Sequence, residues 1–327
     1  MVDVLGIGSS LSGRAWRWRG GNGEFGDDLV AGLPGAGGLD DLVTQLLLAR
    51  GVARDDLARN KAPTLRAFLP DPSLFRDMDI AAERLAKAVT TGEKVTIYGD
   101  YDVDGATSAA LLILVLRDLG LEAGYYIPDR LLEGYGPSGD ALVKLGAEGS
   151  TLVVTVDCGA MAHEALAAAH DAGVEVIVVD HHKCSHDLPL TTALVNPNRL
   201  DESDEGAAHG HLAAVGVAFL LAIALLRTLR AQDYFADRAE PDLFSLLDLV
   251  ALGTVADVAA LHGLKAHASM TSANLSRWWS CSCVMRVCRP RNGLPCDGSV
   301  NVSSGNGKNL SMDSRNKASA SASGSMS

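Results

Sequence analysis

Three apolar runs constrain this chain more than any other feature: residues 95–98 (VTIY), 152–156 (LVVTV) and 174–179 (VEVIVV). Each shows little polar alternation, and each gives way within two residues to an aspartate. A strand with one wet face alternates apolar and polar residues, so runs of this kind suit strands covered on both faces. Between them the pattern is helical. Residues 106–119 end at Gly120, 163–172 end at Gly173, and 139–145 form a shorter helix, while 123–127 and 193–195 read as further strands. Glycine just past the last helical residue is a common stop signal. The expected fold class is therefore α/β: a parallel sheet with helices on both faces, followed by helices near 212–231 and 242–252. Helices over 39–50, closed by Gly51, and over 77–90 are expected ahead of the sheet.

The charge narrows the function. The 327 residues carry a net charge of −12, against the basic surface usual in nucleic-acid binders. Residues 265–327 hold 8 Lys+Arg and 2 Asp+Glu, which leaves −18 on residues 1–264. An acidic body can still engage phosphates when its carboxylates hold divalent cations. The longest apolar run, 212–226, has 15 residues, fewer than the roughly 20 that cross a bilayer, and reads as a core helix. The start shows no basic stretch before apolar residues, so a cytoplasmic protein with reduced thiols and no membrane association is expected. The basic, aromatic segment RAWRWR at 14–19 is expected to serve packing or flexibility, the alternative being a contact to nucleic acid. Beyond Lys265, 15 serines in 63 residues without periodicity predict a disordered tail. Its Cys281, Cys283, Cys288 and Cys296 do not follow a common zinc spacing. The chain thus divides into a partly helical extension (1–76), an α/β domain (77–264) and a disordered tail (265–327).

The carboxylates at the strand ends carry the chemistry, since sites in open α/β sheets form outside the carboxyl ends of the strands. The first strand runs into GDYDVDG at 99–105, the second into Asp157, and the third into Asp180-His181-His182. Asp100, Asp102 and Asp104 within five residues repel one another unless a cation is present. Gly105 permits a close backbone turn, and the helix that follows presents N–H groups to a phosphate. Neutral imidazole beside carboxylates suits Mn²⁺, and an adjacent carboxylate can orient the ring. Asp257 closes the apolar stretch GTVAD at 253–257.

GDYDVDGATS, VTVDCG, VVDHHK and ALGTVADV resemble, in order and spacing, the four motifs of the DHH phosphoesterase superfamily. RLLEGYGPSGDAL, LVNPNR and LAAVGVAF are similar to its RecJ branch in particular, and the resemblance spans roughly residues 40–264. It implies two ions, Mn²⁺ or Mg²⁺, with Asp157 bridging, Asp102 serving the first, and Asp104, His181 and Asp257 the second. It also implies His182 facing the scissile phosphate, Asp100 and Asp180 in support, and Gly105, Gly134, Tyr135 and Gly136 toward the substrate phosphate. Tyr98 stands where pyrophosphatase relatives carry a ligand histidine, which points to the nuclease branch. The implied activity is 5′-to-3′ hydrolysis of single-stranded DNA, with a RecQ-like helicase and a single-strand-binding protein as partners. The second domain expected of that branch is not visible beyond residue 264. Impaired activity is therefore expected, the alternatives being a phosphatase of small oligonucleotides or nucleotides and a non-catalytic remnant that only binds metal.

Overall fold

The computed structural model describes residues 11–13, 43–44, 46–48, 50–62 and 64–259. Residues 43–44 and 46–48 are helical, within the helix expected over 39–50. The rest of that helix, the 14–19 segment, the 265–327 tail and its four cysteines lie outside the described residues.

After short helical segments at Leu57–Lys61 and Leu65–Phe68, helix α1 (Met78–Thr91) feeds β1 (Val95–Gly99). There follow α2 (Val103–Asp118), β2 (Gly124–Tyr126), α3 (Gly139–Ala147), β3 (Leu152–Val156), α4 (His163–Asp171), β4 (Glu175–Val179) and β5 (Ala193–Val195). The long helix α5 (Ala214–Ala231) and then α6 (Leu247–Ala256), entered through a 3₁₀ turn at Leu243–Leu246, complete the domain. The five strands form one all-parallel sheet in the order β2-β1-β3-β4-β5. The chain leaves β1 toward β2 and returns to the other side of β1 at β3. The switch point therefore lies between the ends of β1 and β3, where a ligand crevice opens in such sheets.

Strand geometry sends alternate side chains to opposite faces. Tyr98, Val153, Val176, Val178 and Leu194 pack with Leu142 and Leu145 of α3 and Leu166 and Ala169 of α4. The opposite face is covered by α2 and α5, with α1 beside β5 and α6 against α2. Both faces are buried, which is why β1 and β3 are solvent-inaccessible along their whole length. Helix α5 is apolar nearly all round because α1, α2 and α6 surround it. Truncating a fully buried Leu220 or Leu225 there to Ala is expected to cost about 2–5 kcal/mol.

Two of the helix boundaries that differ from the sequence expectation bear on the site. Helix α2 begins at Val103 rather than 106, because the Asp102 side chain caps it by accepting a hydrogen bond from the Gly105 N–H at 2.9 Å. Asp104 and Gly105 thereby sit in the first helical turn, not in a connecting loop. Helix α6 runs on to Ala256 rather than ending at 252, so that Asp257 is its C-cap.

Candidate metal centre

The loops at the carboxyl ends of β1, β3 and β4 and the end of α6 bring the strand-end residues together. Three overlapping groups each offer ligand atoms within 4.8 Å of one another: Asp100, Asp102 and Asp157; Asp157, His181 and His182; and Asp104, His181 and Asp257. Asp157 and His181 each belong to two groups. His181 Nε2 lies 3.2 Å from Asp157 Oδ1, and 3.9 Å from both Asp104 Oδ2 and Asp257 Oδ1. Asp100, expected only in support, stands among the carboxylates that could ligate.

The backbone aims these groups. Asp157 adopts a left-handed conformation, φ 61°, which turns the chain sharply out of β3 and which Asp tolerates better than most residues. A Cβ on Gly105 would come within 2.6 Å of the Asp100 carbonyl oxygen, so only glycine lets the first turn of α2 close over the Asp100 backbone. Gly253 has a similar task. A Cβ there would strike Thr107 Oγ1 and lie 2.8 Å from Asp104 Oδ1, so glycine is what lets α6 bring Asp257 up against α2.

Asp104 is buried and bound to the N-terminus of α5, accepting from the N–H groups of Ala214 at 2.7 Å and Val215 at 3.0 Å. The helix end favours its charge, yet burial outweighs this and pushes its pKa up to about 6. Burial, reinforced by the charges of Asp104 and Asp102, pushes Asp157 up to about 10. Burial also holds Asp100 above the usual carboxylate range. Asp180 behaves oppositely. Burial opposes its ionisation, but His182 and backbone donors overcome that and keep its pKa low. Its oxygens accept from the N–H groups of Ala160, His181 and His182 and pair with His182 Nδ1 at 2.7 Å. The same pairing raises the pKa of His182.

Three buried ligand-competent atoms, Asp100 Oδ1, Asp157 Oδ1 and His181 Nε2, have no aligned hydrogen-bond partner among the described residues. Buried polar atoms are rarely left so. Oxygen and imidazole nitrogen atoms facing one another at these separations fit a hard or borderline divalent cation.

Of the residues expected to face the substrate, Tyr135 reaches the centre. Its hydroxyl lies 3.2 Å from His182 Nδ1 and 3.3 Å from the Asp157 carbonyl oxygen. Gly134 and Gly136 flank it with φ of 82° and 80°, shaping the turn that presents the ring. Several supporting residues escaped the sequence reading: Asn196 and Asn198, which bind the carbonyls of His182 and His181, and the N–H groups of Ala214 and Val215. The segments LVNPNR and LAAVGVAF, which contain them, were the available signal.

Residues 94–254 match the DHH family, N-terminal domain. The chain is 43% identical over 227 residues to the single-stranded-DNA-specific exonuclease RecJ of Dickeya dadantii, covering 68% of this chain and 38% of that protein. It is 40% identical over 237 residues to RecJ of Escherichia coli, covering 72% of this chain and 40% of the relative. The chain therefore spans about two fifths of the length of these relatives. A crystal structure of exonuclease RecJ bound to manganese matches with a TM-score of 0.51 at 35% identity, over 63% of this chain and 48% of that one. RecJ from Thermus thermophilus in complex with Mn²⁺ matches with a TM-score of 0.53 at 31% identity, over 70% of this chain and 30% of that one. Residues 94–254 are thus an N-terminal domain of the DHH family, akin to that of the RecJ exonucleases.

Proposed function

We propose that this chain is a metal-dependent phosphodiesterase that removes nucleotides from the 5′ end of single-stranded DNA. Asp102, Asp104, Asp157, His181 and Asp257 would hold two divalent ions, Mn²⁺ or Mg²⁺, with Asp157 shared between them. The observation that carries this reading is Asp157: a buried carboxylate whose charge is unfavourable in the bare protein, set among ligand atoms that lack partners. Relatives named as single-stranded-DNA-specific exonucleases, and solved RecJ structures holding manganese, support the substrate class and the metal. Bound divalent ions supply a nucleophilic water near neutral pH and charge stabilisation at the phosphoryl and leaving oxygens.

The remaining work falls to the protein. Asp180 keeps the His182 proton on Nδ1 and the ring cationic to higher pH, so that His182 can stabilise negative charge on a phosphoryl oxygen. Tyr135 meets the same ring edge-on, with its hydroxyl 3.2 Å from the Nδ1 that pairs with Asp180. Gly105, in the first turn of α2, leaves the backbone close enough to approach a phosphate, and the Gly134–Gly136 turn holds Tyr135 beside it. The charge of −18 on residues 1–264 favours a further point: long strands are gripped weakly by this chain.

The test compares 5′-labelled and 3′-labelled single strands and a dinucleotide with Mn²⁺ and with chelator. Release of 5′-labelled mononucleotide with Mn²⁺ alone is the expected result. Cleavage confined to the dinucleotide would favour a small-oligonucleotide hydrolase, and metal binding without any hydrolysis would overturn the enzymatic reading.

A further inference from the structure

We propose that Asn198 is a positioning residue for the metal centre, a strut that sets the spacing between His181 and Asp104; this rests on the metal-binding reading above. The need for a strut follows from where β4 stops. The last ladder bond on this side runs from the Asp180 N–H to the Val195 carbonyl, so the His181 and His182 peptides lie beyond the sheet. Their N–H groups are taken by the Asp180 carboxylate. Their carbonyls are taken by two side chains that follow β5. Asn196, fully buried, donates to the His182 carbonyl at 2.8 Å, and its side-chain oxygen accepts from the Asn198 N–H at 2.8 Å. The Asn198 side-chain nitrogen donates to the His181 carbonyl at 2.6 Å and also to the Gly210 carbonyl at 2.9 Å.

A primary amide carries two N–H groups on one nitrogen, which is what lets a single side chain hold two carbonyls from different segments. Gly210 sits in the turn closed by the Leu212 N–H on the His209 carbonyl, just ahead of α5. The first N–H groups of α5, from Ala214 and Val215, grip Asp104. Asn198 therefore ties the segment bearing His181 to the segment that holds Asp104, two members of one ligand group whose facing atoms are 3.9 Å apart. Gly210 is part of the fit, because a Cβ there would collide with Asn198 Oδ1. Aspartate at 198 would keep the shape and present an acceptor to two acceptors. Groups that orient ligands in this indirect way typically change metal affinity about 10–100-fold when removed.

The test titrates the full chain with Mn²⁺ by calorimetry, with the paramagnetic spectrum of bound Mn²⁺ and the melting temperature with and without metal as parallel readouts. The variants are Asn198→Ala, Asn198→Asp, Gly210→Ala and the Asn198→Ala/Gly210→Ala double. Each single variant is expected to lose about tenfold or more in Mn²⁺ affinity and most of the Mn²⁺-induced rise in melting temperature. The double variant should be no weaker than Asn198→Ala, since both changes break one connection. Folded variants with wild-type affinity, or losses that add in the double, overturn the proposal. So does a merely structural outcome, in which melting falls equally with and without Mn²⁺. If Asn198→Ala does not fold, Gly210→Ala carries the same test. A wild-type chain that binds no Mn²⁺ overturns the metal reading itself, an outcome distinct from binding that the variants leave unchanged.

Discussion

Replacing Asp157 with asparagine should stabilise the metal-free protein while removing its response to metal. The carboxyl is pushed from 3.8 to about 10, first by burial and then by Asp104 and Asp102. Because the folded-state pKa lies above the unfolded one, the folded chain holds an extra proton between those values. Stability from this group is therefore unimpaired below pH 4 and falls as pH rises toward 10. At pH 7 the cost of taking up that proton is on the order of 2–4 kcal/mol, the lower figure allowing for partial hydration of the site. Asparagine keeps the shape, carries no titrating proton and tolerates the left-handed backbone at this position, so the substitution isolates the charge. For a domain of this size, 2–4 kcal/mol corresponds to roughly 5–15 °C in melting temperature. The assay is thermal unfolding in chelator at pH 5, 7 and 9, then with Mn²⁺. The wild type should lose stability with rising pH more steeply than Asp157→Asn, and Mn²⁺ should raise its melting temperature alone. A variant less stable than wild type in chelator at pH 7, with the same pH slope, would refute the reasoning.

Three further outcomes follow from the geometry. Gly253→Ala should force α6 away from α2 and cost about 1–3 kcal/mol, read by denaturant unfolding, with Mn²⁺ affinity falling in step because Asp104 and Asp257 separate. Asp180→Asn removes the main cause of the raised His182 pKa, so proton resonances of metal-free protein should show His182 titrating at lower pH; an unchanged titration would contradict the pairing. Tyr135→Phe deletes the hydroxyl beside His182, and the DNA-cleavage rate should drop about tenfold with the Mn²⁺ affinity unchanged.

The sheet and its strand ends were legible because burial on two faces leaves a long apolar signal, and aspartates directly after such runs stand out. The start of α2 was not. A capping side chain three residues upstream gives no periodic signal, and Asp102 has the composition of a loop residue until its bond to Gly105 is seen. Gly253 was visible as a letter but not as a contact, since its meaning depends on Thr107 and Asp104 from a helix well over 100 residues earlier. The grip of α5 on Asp104, and the two asparagines on the His181 and His182 carbonyls, are side-chain-to-backbone bonds across the fold. The segments LVNPNR and LAAVGVAF mark where these residues lie, but no local pattern says which distant group each one binds. The supporting place of Asp100 came from the family resemblance, and its nearness to Asp102 and Asp157 is visible only in the folded turn.

The strand order β2-β1-β3-β4-β5 also bears on how the protein assembles. Its candidate ligands come from chain positions between 100 and 257, so no short stretch of nascent or refolding chain can present the whole set. Parallel pairing over such separations is slow, because loop closure must precede the contacts that reward it. Divalent cations are therefore expected to leave the folding rate nearly unchanged and to slow unfolding instead, acting as a late latch on an already closed topology. Stopped-flow refolding with and without Mn²⁺ would show this as two folding limbs that coincide and two unfolding limbs that do not.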